Sequence, residues 1–224
     1  MILNFPKKIS PELAEEVGWH VGDGSMNYYN YSGRRKGFYQ LRGHIEDDRE
    51  HYLRRIKPIF KELYGVDVSL RDMPSTRVFG FQIWSSELVK FKESLGLGLG
   101  PKISVKIPDI FLNDKRLKIS VLRGIFDTDG CVYLEKKNKK LYPKMEIQTI
   151  SLPLALQLRE IFNSLGLRAT LYTNKNLNHP NKKICYAVTI RGVEMLHRFF
   201  DVIEPKNQKH LDKYSFFTQS LNNL

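Results

Sequence analysis

The chain predicts a mixed α/β (α+β) fold built from two copies of one αββαββα plan, and three observations predict it. Gly18-Trp19-His20-Val21-Gly22-Asp23-Gly24 and Gly124-Ile125-Phe126-Asp127-Thr128-Asp129-Gly130 end alike and lie 106 residues apart (129 − 23). Helix-like and strand-like patterns recur in the same order on both sides of a Gly/Pro-rich segment. The 224 residues suit two halves of about 100, each able to bury a core.

In the first half, Ser10 caps a helix that has Pro11 at its first position and ends near Gly24. Phe38 to Arg42 alternates as a strand does. Asp47 or Asp48 opens a helix whose apolar face is Tyr52, Ile56, Ile59, Phe60 and Leu63; Pro58 kinks it and Gly65 stops it. Val66–Leu70 and Val78–Ile83 read as two strands, and Ser85 or Ser86 caps a helix through Leu95. Gly96, Gly98, Gly100, Pro101 and Pro108 then mark a linker. The expected division is a first repeat over 1–97, a linker over 98–116 and a second repeat over 117–224. The second half runs from a helix near Leu117–Thr128 through a basic hairpin tip (Lys136 to Lys140) to a strand over Lys144–Ile150. A helix capped by Ser151 and stopped by Gly166 follows, then strands at Arg168–Tyr172 and Ile184–Ile190. Helices close the chain at Gly192–Phe200 and about Lys209–Leu221.

Lys and Arg number 36 against 24 Asp and Glu, a net charge of +12. That is the footprint of a polyanion binder. The basic residues are spread over several segments, so the charge belongs to a folded surface and suits an extended duplex better than a small anion. No apolar run approaches the roughly 18 residues of a membrane span. Two cysteines, Cys131 and Cys185, suggest neither a disulfide framework nor a zinc site, and a reducing, cytoplasmic compartment is expected.

Gly18 and Gly22 share a helix face, matched by Gly124 and Thr128. Small residues at this spacing let two helix backbones touch. Their C-termini then converge and bring Asp23 and Asp129 together, against the unfavourable end of each helix dipole. Two adjacent carboxylates repel, and a divalent cation relieves the conflict. Hard oxygen ligands favour Mg²⁺, with Mn²⁺ or Ca²⁺ able to substitute in binding, and the terminal carbonyls of Gly22 and Thr128 are candidate further ligands.

Leu122-Arg123-Gly124-Ile125-Phe126-Asp127-Thr128-Asp129-Gly130 resembles the signature of the LAGLIDADG homing endonucleases, and Glu16 to Gly24 resembles a more divergent copy. The resemblance implies a monomer with two pseudo-twofold-related repeats whose saddle-shaped antiparallel sheets lie in the DNA major groove. It implies metal-dependent cleavage of both strands of a long pseudo-palindromic site, leaving 3′ overhangs, with Asp23 and Asp129 as the catalytic metal ligands. A basic or polar side chain beside each acid is expected to order water; the candidates are His44 and Glu46 after the first strand and Lys144, Gln148 or Thr149 in the second, with His44 and Lys144 preferred. Base reading is assigned to Tyr39, Gln40, Arg42, Lys144, Glu146 and Gln148 on the first strand pairs. Phosphate contact is assigned to Arg34, Arg35, Lys36, Lys136, Lys137, Lys139 and Lys140. The alternatives are an RNA maturase acting on intron RNA and a non-cleaving DNA-binding regulator on the same fold. An intein is not expected, since position 1 holds no nucleophile and no His-Asn closes the chain.

Overall fold

The computed structural model describes residues 2–137, 140–174 and 183–222. The first repeat opens on helix α1 (Pro11–Gly22), where Ser10 accepts a hydrogen bond from the Leu13 N–H at 3.2 Å. Such a cap contributes about 1 kcal/mol. Strands β1 (Gly24–Tyr31) and β2 (Arg34–His44) form a hairpin. A helical stretch follows in three pieces: α2 (Arg49–His51), a π-helical turn (Tyr52–Ile56) and α3 (Lys57–Tyr64). The widened turn sits just ahead of Pro58, which has no N–H to continue the ladder. Strands β3 (Arg71–Met73) and β4 (Val78–Trp84) precede α4 (Ser86–Ser94), capped by Ser85.

One expected strand is displaced. Val66–Leu70 is extended but unpaired, and β3 begins after it. Val66 and Val68 are buried all the same, so their alternation reports core contact and not a ladder.

The second repeat has the same order: α5 (Lys115–Asp129), β5 (Gly130–Lys137), β6 (Lys140–Thr149), α6 (Leu152–Ser164), β7 (Ala169–Asn174), β8 (Cys185–Arg191) and α7 (Val193–Ile203). A further helix, α8 (Gln208–Asn222), stands outside the repeat plan and packs on β5. The two antiparallel sheets have matching orders, β1-β2-β4-β3 and β5-β6-β8-β7. Their registers also match: Gly24 faces Leu41 as Gly130 faces Ile147. In β2 every second residue from Gly37 to Gly43 is buried, so one face of the sheet meets the helices and the other is left open. No helix among the described residues is long and apolar enough to cross a membrane.

Candidate active site

The two repeats meet mainly through α1 and α5. A Cβ on Gly18 would stand 2.8 Å from Gly124 Cα, and one on Gly124 would stand 2.9 Å from Gly18 Cα. Any side chain at either position would push the helices apart. The seam runs to the helix ends. Asp23 is the C-cap of α1 and donates its N–H to the Trp19 carbonyl at 2.8 Å, whereas Asp129 is the last residue of α5. A Cβ on Gly22 would lie 3.4 Å from the carboxyl carbon of Asp129, so the acids converge where the backbones touch.

Asp23 is half-exposed and Asp129 exposed, but protein closely surrounds both carboxyl groups. Burial pushes the Asp23 carboxyl well above the usual carboxylate range. The charges of Asp129 and then Asp48 add to this, while Lys209 and Lys102 pull it back. Asp129 is raised by burial too, opposed by Lys102 and Lys209. The Tyr52 hydroxyl donates to Asp23 Oδ2 at 3.3 Å. Gly43 keeps room for the cluster, since a Cβ there would come within 2.9 Å of Asp23 Oδ2 and 2.7 Å of Asp48 Oδ2.

Two lysines complete the centre. Lys102 Nζ, from the segment between α4 and α5, donates to the Gly22 carbonyl. Lys209 Nζ, from α8, donates to the Thr128 carbonyl at 3.2 Å and to Asp48 Oδ1 at 2.8 Å. The terminal carbonyls of both central helices, expected to be open to a metal, are therefore each held by an ammonium group. Burial lowers the Lys102 pKa, against the pull of Asp129 and Asp23. The sequence reading missed both lysines, yet a signal existed: they follow Asp23 and Asp129 by 79 (102 − 23) and 80 (209 − 129) residues.

The donor set suits a hard divalent cation. Two carboxylates converge at the helix ends, close enough for the charge of Asp129 to act on Asp23. Among the described residues no group of three His, Cys, Asp or Glu is placed to enclose an ion. An ion held by this pair would keep open positions for water and a phosphate, as Mg²⁺ does at phosphoryl-transfer sites.

Asp127, ambiguous by sequence, does not face the acids. It is fully buried and accepts hydrogen bonds from the N–H groups of Lys206 (3.0 Å) and Asn207 (3.1 Å). Asn207 Nδ2 also reaches Asp48 Oδ1 at 2.8 Å, so Asp127 helps to hold the turn that presents Lys209 and ties the repeats together.

The other site expectations divide. Tyr39 is not a base reader: it is wholly buried on the core face of β2, and its hydroxyl donates to Glu16 Oε1 at 3.3 Å. The reason is strand period, because Tyr39 lies between outward-facing Phe38 and Gln40. Lys144 does not reach the acids. Its amine lies 3.5 Å from Glu135 and 3.3 Å from Glu146 and over the Tyr133 ring, on the open face of the second sheet. The β5–β6 register extends Asp129 toward Gln148 instead, as the β1–β2 register extends Asp23 toward Arg42. His44 lines the mouth of the groove with Asp23, Arg42 and Thr76, its Nδ1 3.2 Å from Asp47. Gln40 and Arg42 line the adjoining part with Asp23 and Lys102. Glu146 is on the open face but nearly covered, bonded by Thr189 (3.0 Å) and Gln148 (2.7 Å). Arg34, Arg35, Lys36 and Lys136 are exposed. Lys139, and the side chains of Lys137 and Lys140, lie outside the described residues.

Residues 116–204 match the family model of the LAGLIDADG-like domain. Curated relatives include a glutamine–fructose-6-phosphate aminotransferase of Methanocaldococcus jannaschii, 26% identical over 137 residues. The ribonucleoside-diphosphate reductase NrdEB subunit alpha of Bacillus subtilis is 22% identical over 152 residues. The matches take in 60% and 62% of this chain but only 11% and 14% of those proteins, whose two names share no chemistry. Among solved structures, mesophilic variants of the homing endonuclease I-DmoI superpose with a TM-score of 0.64 at 16% identity, covering 86% of this chain and 90% of theirs. I-DmoI in complex with DNA and Mn gives 0.61 at 19% identity, covering 88% and 97%. The LAGLIDADG meganuclease I-AabMI bound to uncleaved DNA gives 0.61 at 16%, covering 96% and 92%. These likenesses show the fold of both halves.

Proposed function

We propose, for a chain that belongs to the LAGLIDADG family, that it is a site-specific endonuclease cutting both strands of a long pseudo-palindromic DNA duplex with a divalent metal, leaving 3′ overhangs. The observation that carries this reading is the delivery of Asp23 and Asp129, by a glycine seam, to one site beside a basic sheet face. Both acids come from a single chain, so a monomer suffices. The solved relatives bound to DNA support the substrate class.

The raised carboxyls of Asp23 and Asp129 make a site that gains from a cation and loses from an empty charge pair. A bound divalent ion, Mg²⁺ by donor chemistry, would polarise the phosphoryl oxygen and acidify the attacking water. Lys102 and Lys209 fix positive charge beside the acids, where negative charge grows on the phosphate as the bond breaks. Gln40 and Arg42, which line the pocket beside Asp23, and the exposed Gln148 set the register of the duplex. The exposed Arg34, Arg35 and Lys36 grip phosphates and make binding steeply salt-dependent.

A randomised duplex library incubated with the protein and Mg²⁺ should yield staggered ends in one sequence. Asp23→Asn and Asp129→Asn should each abolish cutting while retaining binding. Lys102→Met and Lys209→Met should slow it about 10²-fold, the order expected for loss of one stabilising charge. Undiminished cutting by the Asp variants would overturn the assignment. Binding confined to intron RNA, with no duplex cut, would transfer the reading to the maturase alternative.

A further inference from the structure

On the open face of the first sheet, Tyr29, Phe38 and Trp84 come together from β1, β2 and β4. Phe38 and Trp84 have ring centroids 4.7 Å apart, Tyr29 and Phe38 5.8 Å, and Tyr29 and Trp84 6.2 Å. Trp84 is 52% exposed and Tyr29 48%. An aromatic cluster held at a surface this way usually marks a contact site. Its surroundings specify the partner. Exposed Arg34 and Lys36 precede Phe38 at every second place along β2, on the same face of the hairpin. Along β2 the face continues through Gln40 and Arg42 to the groove at Asp23. A polyanion bound at this rim would meet the aromatic floor with its apolar feature.

In the major groove that feature is the thymine 5-methyl group. We propose that Tyr29, Phe38 and Trp84 form a thymine-reading platform at the outer flank of the half-site bound by the first repeat. The inference rests on the reading of this chain as a duplex-DNA endonuclease. Phe38 is four strand residues from Arg42, roughly 13 Å at the rise of a β-strand. That is about four base pairs outward from the step above Asp23.

The second sheet supplies the contrast. The position matching Phe38 is Lys144, since Phe38 faces Trp84 as Lys144 faces Arg191. The position matching Tyr29 is Glu135, which pairs with Lys144 (3.5 Å) and Arg191 (3.7 Å). Ions stand there in place of rings, so the methyl preference belongs to one flank only and the target is asymmetric in this respect.

The test is selection of bound sites from randomised duplexes by the full-length protein in EDTA. Deoxyuridine is then substituted for thymidine in the selected site, flank by flank. The expected result is enrichment of thymine at the first-repeat flank and a loss of about fourfold in affinity for each methyl removed there, the worth of one buried methylene-sized group. The opposite flank should not respond. Phe38→Ser with Trp84→Ser should abolish the sensitivity and leave the salt dependence of binding intact. A selected duplex that shows no thymine enrichment, or equal uridine sensitivity at both flanks, overturns the platform. Failure to select any duplex overturns the endonuclease reading itself.

Discussion

At the centre of the first repeat's core lies an ion pair. Lys92 Nζ donates to both oxygens of Glu16, and the hydroxyls of Tyr39 (3.3 Å) and Tyr64 (3.0 Å) donate to the same carboxylate, all four side chains being essentially without solvent contact. In the second repeat the matching places hold Leu122, Met145 and Phe199, and Phe199 packs against Phe126 at 4.5 Å. The outer faces are opposed in the other direction: rings at Tyr29, Phe38 and Trp84 in the first repeat, ions at Glu135, Lys144 and Arg191 in the second. One backbone plan thus tolerates both chemistries at either depth. The shared requirements are strand period, the caps and the glycine seam, while a polar interior needs only that each buried group find its partner.

Breaking the ion pair should produce the largest change. Lys92→Met leaves the Glu16 carboxylate in the core with only two hydroxyls for company, and should cost about 3–5 kcal/mol. Adding Glu16→Leu should recover part of the loss. The residue is the two tyrosine hydroxyls then left without an acceptor, about 1–3 kcal/mol each. The quadruple variant with Tyr39→Phe and Tyr64→Phe should approach the wild type, because it copies the apolar solution of the second repeat. Urea unfolding measures each step. A Lys92→Met protein within 1 kcal/mol of wild type would show that the pair is not what holds this core.

A second difference is pH sensitivity. His51 and Gln157 stand at equal spacing past Asp23 and Asp129. Gln157 satisfies both its ends on the Ile107 backbone, accepting at 2.8 Å and donating at 3.1 Å. His51 is buried against the edge of Trp19, and burial pushes its pKa down from 6.5 to about 3. Between those values the unfolded chain binds a proton that the folded chain refuses. Its contribution to stability is therefore complete above pH 6.5 and is lost as pH falls toward 3, about 3 kcal/mol of it by pH 4. Burial lowers His20 and His210 as well, with the same sign. His51→Gln should make the loss between pH 7 and pH 4 smaller by His51's share, measured as the difference of two urea titrations. An unchanged difference would show that His51 does not carry it.

Most of the fold was legible because it is written in local signals. Ser10, Ser85 and Ser151 all cap helices as expected, and Gly65 ends α3 with positive φ. The seam was legible too, since Gly18 and Gly124 have few other reasons to recur at that spacing. What failed to appear was lateral information. Tyr39 was assigned outward with its neighbours Gln40 and Arg42, although strict alternation forbids three such residues on one face. Lys144 is preferred over Gln148 in the sequence, whereas register brings Gln148 nearer to Asp129. Lys102 and Lys209 sit in segments with no motif of their own, and only tertiary closure carries them to the helix ends.

The seam itself holds the smallest of these contrasts. Its lower end pairs unlike residues, Gly22 on α1 and Thr128 on α5. The Thr128 hydroxyl donates back to the carbonyls of Gly124 (3.0 Å) and Ile125 (3.1 Å), and its Cβ would lie 2.9 Å from a Cβ on Gly22. The threonine therefore fills the space that the missing side chain leaves. Gly22→Ala alone should cost about 2 kcal/mol through overpacking. Thr128→Gly alone should cost about 1 kcal/mol, a few tenths from helix propensity and the rest from the contacts its side chain loses. In the Thr128→Gly background the alanine at position 22 keeps only an ordinary contact with the Asp129 carboxyl carbon at 3.4 Å, so its cost should fall to near zero and the double-mutant cycle should show a coupling of about 2 kcal/mol. Additive costs would mean that the helices shift to relieve the clash, in which case Asp23 and Asp129 are not held together by close packing at this level, and cutting by the two single variants should then be equally impaired.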